Sequence, residues 1–342
     1  MRVFQIEGDW GFAHLKLSSR PEPKVGPKQV LVKMLASSLN YRDLVIPERG
    51  YGVHTGNLPL IPISDGVGVV AAVGEGVTRV AVGDRVCPTY FQQWIGGEPD
   101  LQRLTQSLGG PIDGTMTELM CLSEEGVVRV PAYLTDLEAA TLPCAALTAW
   151  SALVTYGKLK PGDKILIQGS GGVALFALQF AKKLGAQVTV ISSSEEKIDR
   201  LKGMGADFTL NYSQIPEWGK ATKELTQGTG YDHILELGGE KTLPQSLRCI
   251  RPGGTLSMIG LLSGATLSAP LGMIITRQVK LQGITVGHRD GFEAMVRALN
   301  LHHIRPTLDR VFAFHELKEA MEYLRSGQQF GKICIDHEKG NR

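Results

Sequence analysis

The run from Lys164 to Leu184 constrains this chain more than any other stretch. Lys164-Ile-Leu-Ile-Gln168 has the continuous apolar character of a buried strand, a glycine-rich break follows, and Val173 to Ala181 carries on as a helix. Gly169, Gly171 and Ala174 fall on the pattern G-x-G-x-x-G/A, the mark of a turn that receives a dinucleotide pyrophosphate. Each residue type has a physical reason. The first glycine permits the tight turn, the second lets a phosphate approach the backbone, and the small Ala174 lets helix and strand pack closely. Ser170, Gly172 and Val173 complete the turn and open the helix, whose free N–H groups and positive dipole end favour an anion. The same glycines would also suit a plain strand-to-helix turn, so context matters. A second strand, Gln187-Val-Thr-Val-Ile191, ends at Ser192, 18 positions beyond Ala174; a ribose-reading residue is expected after about 20.

With 342 residues, the chain has length for two domains at roughly 100 to 200 residues each. A 43% apolar fraction and a net charge of +2 describe a soluble globular protein with no field that selects nucleic acid or an anionic membrane. No apolar run reaches the roughly 18 residues of a membrane span, and Met1-Arg-Val-Phe-Gln-Ile-Glu-Gly8 lacks a secretory profile, so the expected location is cytoplasmic. Five scattered cysteines, Cys87, Cys121, Cys144, Cys249 and Cys334, form no C-x-x-C pair and read as reduced thiols.

Ahead of the glycine turn, short β-type segments (Gln29 to Met34, Gly66 to Val73, Asp84 to Cys87) are separated by Gly and Pro turns, the texture of a small β-barrel. From about Tyr133, helices alternate with apolar strands: Lys164 to Gln168, Gln187 to Ile191, Phe208 to Leu210, His233 to Leu237, Thr255 to Ile259 and Leu281 to Val286. Six such strands predict an α/β fold with a doubly wound parallel sheet. Two further helices (Phe292 to Leu299, Glu316 to Leu324) and strands at Arg305 to Phe312 and Gly331 to Ile335 are expected to return to the first domain.

Ser38-Leu-Asn-Tyr-Arg-Asp43, Gly66-Val-Gly-Val-Val70, Val80-Ala-Val-Gly-Asp-Arg-Val86, Leu142-Pro-Cys-Ala-Ala-Leu-Thr-Ala-Trp150, the glycine turn and Gly331-Lys-Ile333 together resemble the medium-chain dehydrogenase/reductase superfamily nearly end to end, in particular its zinc-free, quinone-reductase-like branch. The resemblance implies a GroES-like catalytic domain of residues 1–126 and 288–342 and a Rossmann domain of residues 127–287. On the positions where zinc enzymes of the superfamily hold their catalytic metal, this chain has Asn40, Ser64-Asp65 and Cys144, and no cysteine lies between Pro88 and Gly110, where the structural-zinc loop would fall. Asn and Ser are poor zinc ligands, so no metal is expected. Relatives place the nicotinamide near the positions of Asn40, Tyr41, Asp43 and Thr148, and Tyr51 matches a proton-donating tyrosine; Tyr51 and Tyr41 equally suit plain lining of the pocket. A phenol with a pKa of about 10 is protonated at neutral pH and can give a proton.

Cofactor choice is written after the second strand. Ser192, Ser193 and Ser194 stand where NAD enzymes carry an acid, Lys197 can neutralise a 2′-phosphate, and a Lys and a Tyr at the positions of Lys197 and Tyr212 accompany NADPH in the quinone-reductase branch. Ser193-x-x-Glu196 also reads as a capping box, compatible with this role. The expectation is an NADPH-dependent oxidoreductase acting on a conjugated carbonyl, a quinone, an enone or a related activated alkene, as a homodimer joined at Leu281 to Val286. The alternatives are a zinc-free alcohol dehydrogenase and a non-catalytic NADPH-binding protein.

Overall fold

In a computed structural model that describes residues Met1–Lys339, the chain divides into two units: Met1–Leu147 with the chain from Val286 onward, and Thr148–Thr285. The last positions of the expected small domain, 340–342, lie outside the described residues. The first unit begins with β1 (Arg2–Ile6), β2 (Leu15–Ser19), β3 (Gln29–Ser38), β4 (Asp65–Val73), β5 (Arg85–Pro88), β6 (Leu119–Ser123) and β7 (Val127–Arg129). Along β3, Val30, Val32 and Met34 point inward at the period of two that one buried sheet face requires, and they pack on Val70, Val86 and Val127.

The second unit supplies β8 (Lys164–Gln168), β9 (Gln187–Ser192), β10 (Phe208–Asn211), β11 (Tyr231–Glu236), β12 (Ile250–Met258) and β13 (Lys280–Gly283). They form one sheet in the order β10-β9-β8-β11-β12-β13, every pair parallel. Ile165, Leu166 and Ile167 of β8 are all fully buried; each such side chain contributes roughly 1.5–3 kcal/mol of transfer free energy. Strand order reverses between β8 and β11, which marks the carboxyl ends of those strands as the ligand-binding edge.

The chain then re-enters the first unit as β14 (Leu308–Ala313) and β15 (Lys332–Asp336). β15 runs antiparallel to β3, pairing Cys334 with Ser38 and Ile335 with Ser37, as the expected return requires. Three details differ from the sequence reading. Residues 127–147 lie in the first unit, because Val127 and Val128 are buried and β7 pairs with β5. The sheet-edge strand ends at Gly283 instead of Val286, which belongs to the first unit. The antiparallel pair β1–β2 was not among the expected strands. No helix among the described residues is long and apolar enough to cross a membrane.

Candidate active site

The glycine turn joins β8 to the helix Gly172–Lys183. Gly169 has φ +80°, a conformation that L side chains rarely adopt, and its N–H donates to Ile191 O at 2.7 Å. Gly171 is extended (φ −78°, ψ −178°) and caps the helix without any side-chain hydrogen bond. A Cβ built at either glycine meets nothing within 4 Å. Ser170 and Ala174 are buried, whereas Gly172 and Val173 are half-exposed in the first turn. Bare backbone at a helix N-terminus with open space above it fits the pyrophosphate of a dinucleotide. Beside the turn, the ends of the two central strands are clamped by a buried pair that the sequence reading missed. Gln168 Nε2 donates to Glu236 Oε2 at 2.8 Å, and Glu236 Oε1 accepts from the Gly238 and Gly239 amides and from Thr242.

At the carboxyl end of β9 the structure brings Ser192, Ser193, Ser194, Lys197 and Tyr212 together: Asn211 pairs with Ser192, and the Tyr212 amide donates to Ser192 O at 3.0 Å. Ser192 is buried and Ser193 exposed. The predicted capping box does not form: the cap shifts by one residue, which puts Lys197 instead of Glu196 at the third helical position. Because β9 runs on through Ser192, the N-cap is Ser194, whose Oγ accepts from the Lys197 amide at 3.4 Å, and the helix is Glu195–Gly203. Thr148 is buried in the helix Leu147–Trp150, at the start of the second unit.

In the first unit, Asn40, Tyr41, Asp43 and Tyr51 gather around groups to which the sequence reading gave no role. Tyr41 and Tyr51 are 55% and 46% exposed, while Asp43 is fully buried. Asp43 Oδ2 accepts from the Asn40 amide at 2.7 Å, so its visible work is to hold the loop. Burial raises the Asp43 carboxyl to about 6, with the Arg42 guanidinium opposing. Arg42 stacks over the Tyr90 ring, 4.9 Å from its centroid, and donates to Leu108 O and Gly110 O at 2.8 and 3.0 Å. Burial also pushes the Tyr51 phenol up, against the pull of Arg42, and so keeps it protonated.

Lys332 at the start of β15 is the other unforeseen group. Its Nζ donates to Leu39 O at 2.6 Å and to Asn40 Oδ1 at 2.7 Å, and lies 3.4 Å from Asp65 Oδ2. Asn40 Nδ2 in turn donates to Asp65 Oδ2 at 2.9 Å. A cation buried this way demands a partner, but its sequence context, Gly331-Lys-Ile333, does not show that it is buried.

These residues do not fit a catalytic zinc ion. Asn40 Oδ1 and Asp65 Oδ2 already face an ammonium, and burial pushes the Cys144 thiol up, away from the thiolate that a metal needs. Ser64 Oγ and Asp65 Oδ1 are buried without a hydrogen-bond partner, but they are oxygen donors with no imidazole or second thiolate to complete a set. Among the described residues, no three His, Cys, Asp or Glu side chains are placed to hold a metal ion.

Comparison with known proteins matches both units. Residues 26–132 match the alcohol dehydrogenase GroES-like domain, and residues 172–300 match the zinc-binding dehydrogenase family. The chain is 42% identical to a zinc-type alcohol dehydrogenase-like protein of Schizosaccharomyces pombe, over 95% of this chain and 96% of that one. The chain belongs to the medium-chain dehydrogenase/reductase superfamily. Among solved members, a Sinorhizobium meliloti protein described as a candidate alcohol dehydrogenase superposes with a TM-score of 0.92 at 42% identity, covering 98% of each chain. An NAD-dependent alcohol dehydrogenase follows with a TM-score of 0.89 at 29% identity, covering 98% of this chain and 100% of that one. As a member of the superfamily the protein is an alcohol-dehydrogenase-like oxidoreductase.

Proposed function

We propose that this protein is an NADPH-dependent reductase of conjugated carbonyl compounds, quinones or enones, that works without zinc. The observation that carries this reading is the Lys332 ammonium bonded to Asn40 and paired with Asp65, where zinc-dependent members of the superfamily hold their metal. Without a Lewis acid, a carbon already activated by conjugation is the accessible electrophile. The fingerprint turn Gly169 to Ala174 would hold the pyrophosphate, with Thr148 nearer the nicotinamide. Ser192, Ser193, Ser194, Lys197 and Tyr212 would read the ribose end, where no carboxylate at Ser192 repels a 2′-phosphate. A reduced nicotinamide, when bound, supplies a hydride. The protein's own task is then to stabilise negative charge on the substrate oxygen and deliver one proton, to the enolate carbon of an enone or to the oxygen of a quinone; the Tyr51 phenol, protonated and half-exposed, suits the second role.

Alcohol oxidation is the second reading, favoured by the alcohol dehydrogenase names of the relatives. Elemental analysis joined to a turnover panel separates the two. Zinc well below one per chain, with NADPH-driven reduction of 2-cyclohexenone or a benzoquinone unaffected by a chelator, is the expected result; one tight zinc per chain and chelator-sensitive alcohol oxidation overturns the proposal.

We also propose a cytoplasmic homodimer joined along β13, the edge of its sheet, in a unit that also exposes Leu261, Leu262, Leu271 and Ile275. Sedimentation that gives only monomer at micromolar concentration rules the dimer out.

A further inference from the structure

We propose that Lys332 is a positioning residue for this reduction: it fixes the Asn40 amide so that the protein presents a polarised hydrogen-bond donor to the substrate carbonyl. The inference rests on the conjugated-carbonyl reading above. Lys332 is 3% exposed, and its ammonium faces three acceptors, Leu39 O, Asn40 Oδ1 and Asp65 Oδ2, which match its three hydrogens. It is therefore a fixed donor within the site. The backbone holds the arrangement in place, since the Leu39 amide donates to Ile333 O at 2.9 Å, one residue from each partner.

The consequence falls on Asn40. Its carbonyl oxygen must face the ammonium, because the reversed amide would set NH2 against a cation and C=O against the Asp65 carboxylate. Nδ2 then gives one hydrogen to Asp65 at 2.9 Å and keeps the second, and Asn40 is half-exposed. A cation drawing on Oδ1 makes that remaining N–H a stronger donor. A fixed donor suits an oxygen that gains negative charge as the double bond is reduced. It is the wrong group to accept an alcohol proton. A purely structural role predicts something different: Lys332 would only neutralise the buried Asp65, and removing both charges together would leave turnover alone.

The test compares two variants with NADPH and 2-cyclohexenone. Asp65→Asn keeps the Lys332–Asn40 hydrogen bond and sets the reference kcat for loss of the Asp65 charge alone. Lys332→Met combined with Asp65→Asn removes both charges and frees the amide. Its kcat is expected to fall about 100-fold with KM little changed, the loss typical of one oxyanion donor. Equal kcat in the two variants, with the double variant folded, overturns the proposal. Should the double variant not fold, Asn40→Asp, nearly isosteric and still able to accept from Lys332, replaces the donor by an acceptor; unchanged kcat in that variant also overturns it. Native protein that reduces neither enones nor quinones and oxidises alcohols overturns the functional reading and this proposal together. Native turnover that survives these substitutions overturns the proposal alone.

Discussion

Replacing Gly171 by alanine separates folding from nucleotide binding. The backbone there is already in an extended conformation open to any residue, and an added Cβ meets nothing within 4 Å. Two small effects oppose each other in the unliganded protein. Alanine restricts the unfolded chain, which stabilises by about 0.4–1 kcal/mol, but alanine is a poorer N-cap than glycine by a similar amount. The melting temperature is therefore expected to move by no more than a few degrees. Binding is different, because the Cβ projects into the space where the pyrophosphate would meet the helix N-terminus. Breaking one charge-assisted hydrogen bond from an N–H to the phosphate costs roughly 1.5–3 kcal/mol, so affinity falls roughly 10- to 100-fold for each bond broken. NADPH and NADH should weaken alike, since they share the pyrophosphate. Gly169→Ala makes the control, because at φ +80° any side chain is strained and the unliganded protein itself should lose about 1–2 kcal/mol. Thermal melts without nucleotide and fluorescence titration with both nucleotides read the two effects. Native affinity in Gly171→Val, with the fold intact, would refute the assignment of this turn to the pyrophosphate.

Lys197→Ala should weaken NADPH roughly 10- to 100-fold while leaving NADH unchanged, read by the same titration; equal weakening of both assigns Lys197 to the fold. Ser192→Asp should shift preference toward NADH more strongly, read as the ratio of the two kcat/KM values. Two buried groups give opposing pH dependences. Burial lowers His337 to about 4, so its contribution is present above the unfolded value near 6.5 and is lost as pH falls toward 4. Burial raises Asp43 to about 6, so its ionisation destabilises the fold as pH rises from about 4 to 6. Each amounts to about 3 kcal/mol, and they largely offset each other in the native protein. In melts from pH 4 to 7, His337→Gln should uncover a fall in stability with rising pH and Asp43→Asn a rise; parallel curves for all three proteins contradict both shifts.

The parallel sheet was legible because its information is local. The central strands β8 and β9 are short apolar runs ended by a glycine turn and by a serine cluster, and Gly169, Gly171 and Ala174 need only one another to be recognised. The capping register was not, because Ser192-Ser193-Ser194 offers three equivalent caps and only the length of β9 selects Ser194. The centre of the candidate site was the least legible part. Lys332 meets Asp65 and Asn40 across 267 and 292 positions, and Arg42 reaches Leu108 and Gly110 across 66 and 68. Nothing in the surroundings of Lys332 or Arg42 in sequence distinguishes a buried, paired cation from a solvated one. Asn40 and Ser64 revealed which donors are missing, whereas only the return of β15 beside β3 reveals which charge stands near them.

The central claim is that reduction occurs at a carbon conjugated to a carbonyl, and isotope transfer tests it most directly. NADPH deuterated at C4 is supplied with 2-cyclohexenone, and the product is examined by NMR. Cyclohexanone carrying deuterium at the carbon β to the carbonyl is the expected product. Deuterium on the carbinol carbon of cyclohexenol, the outcome of direct carbonyl reduction, would contradict it.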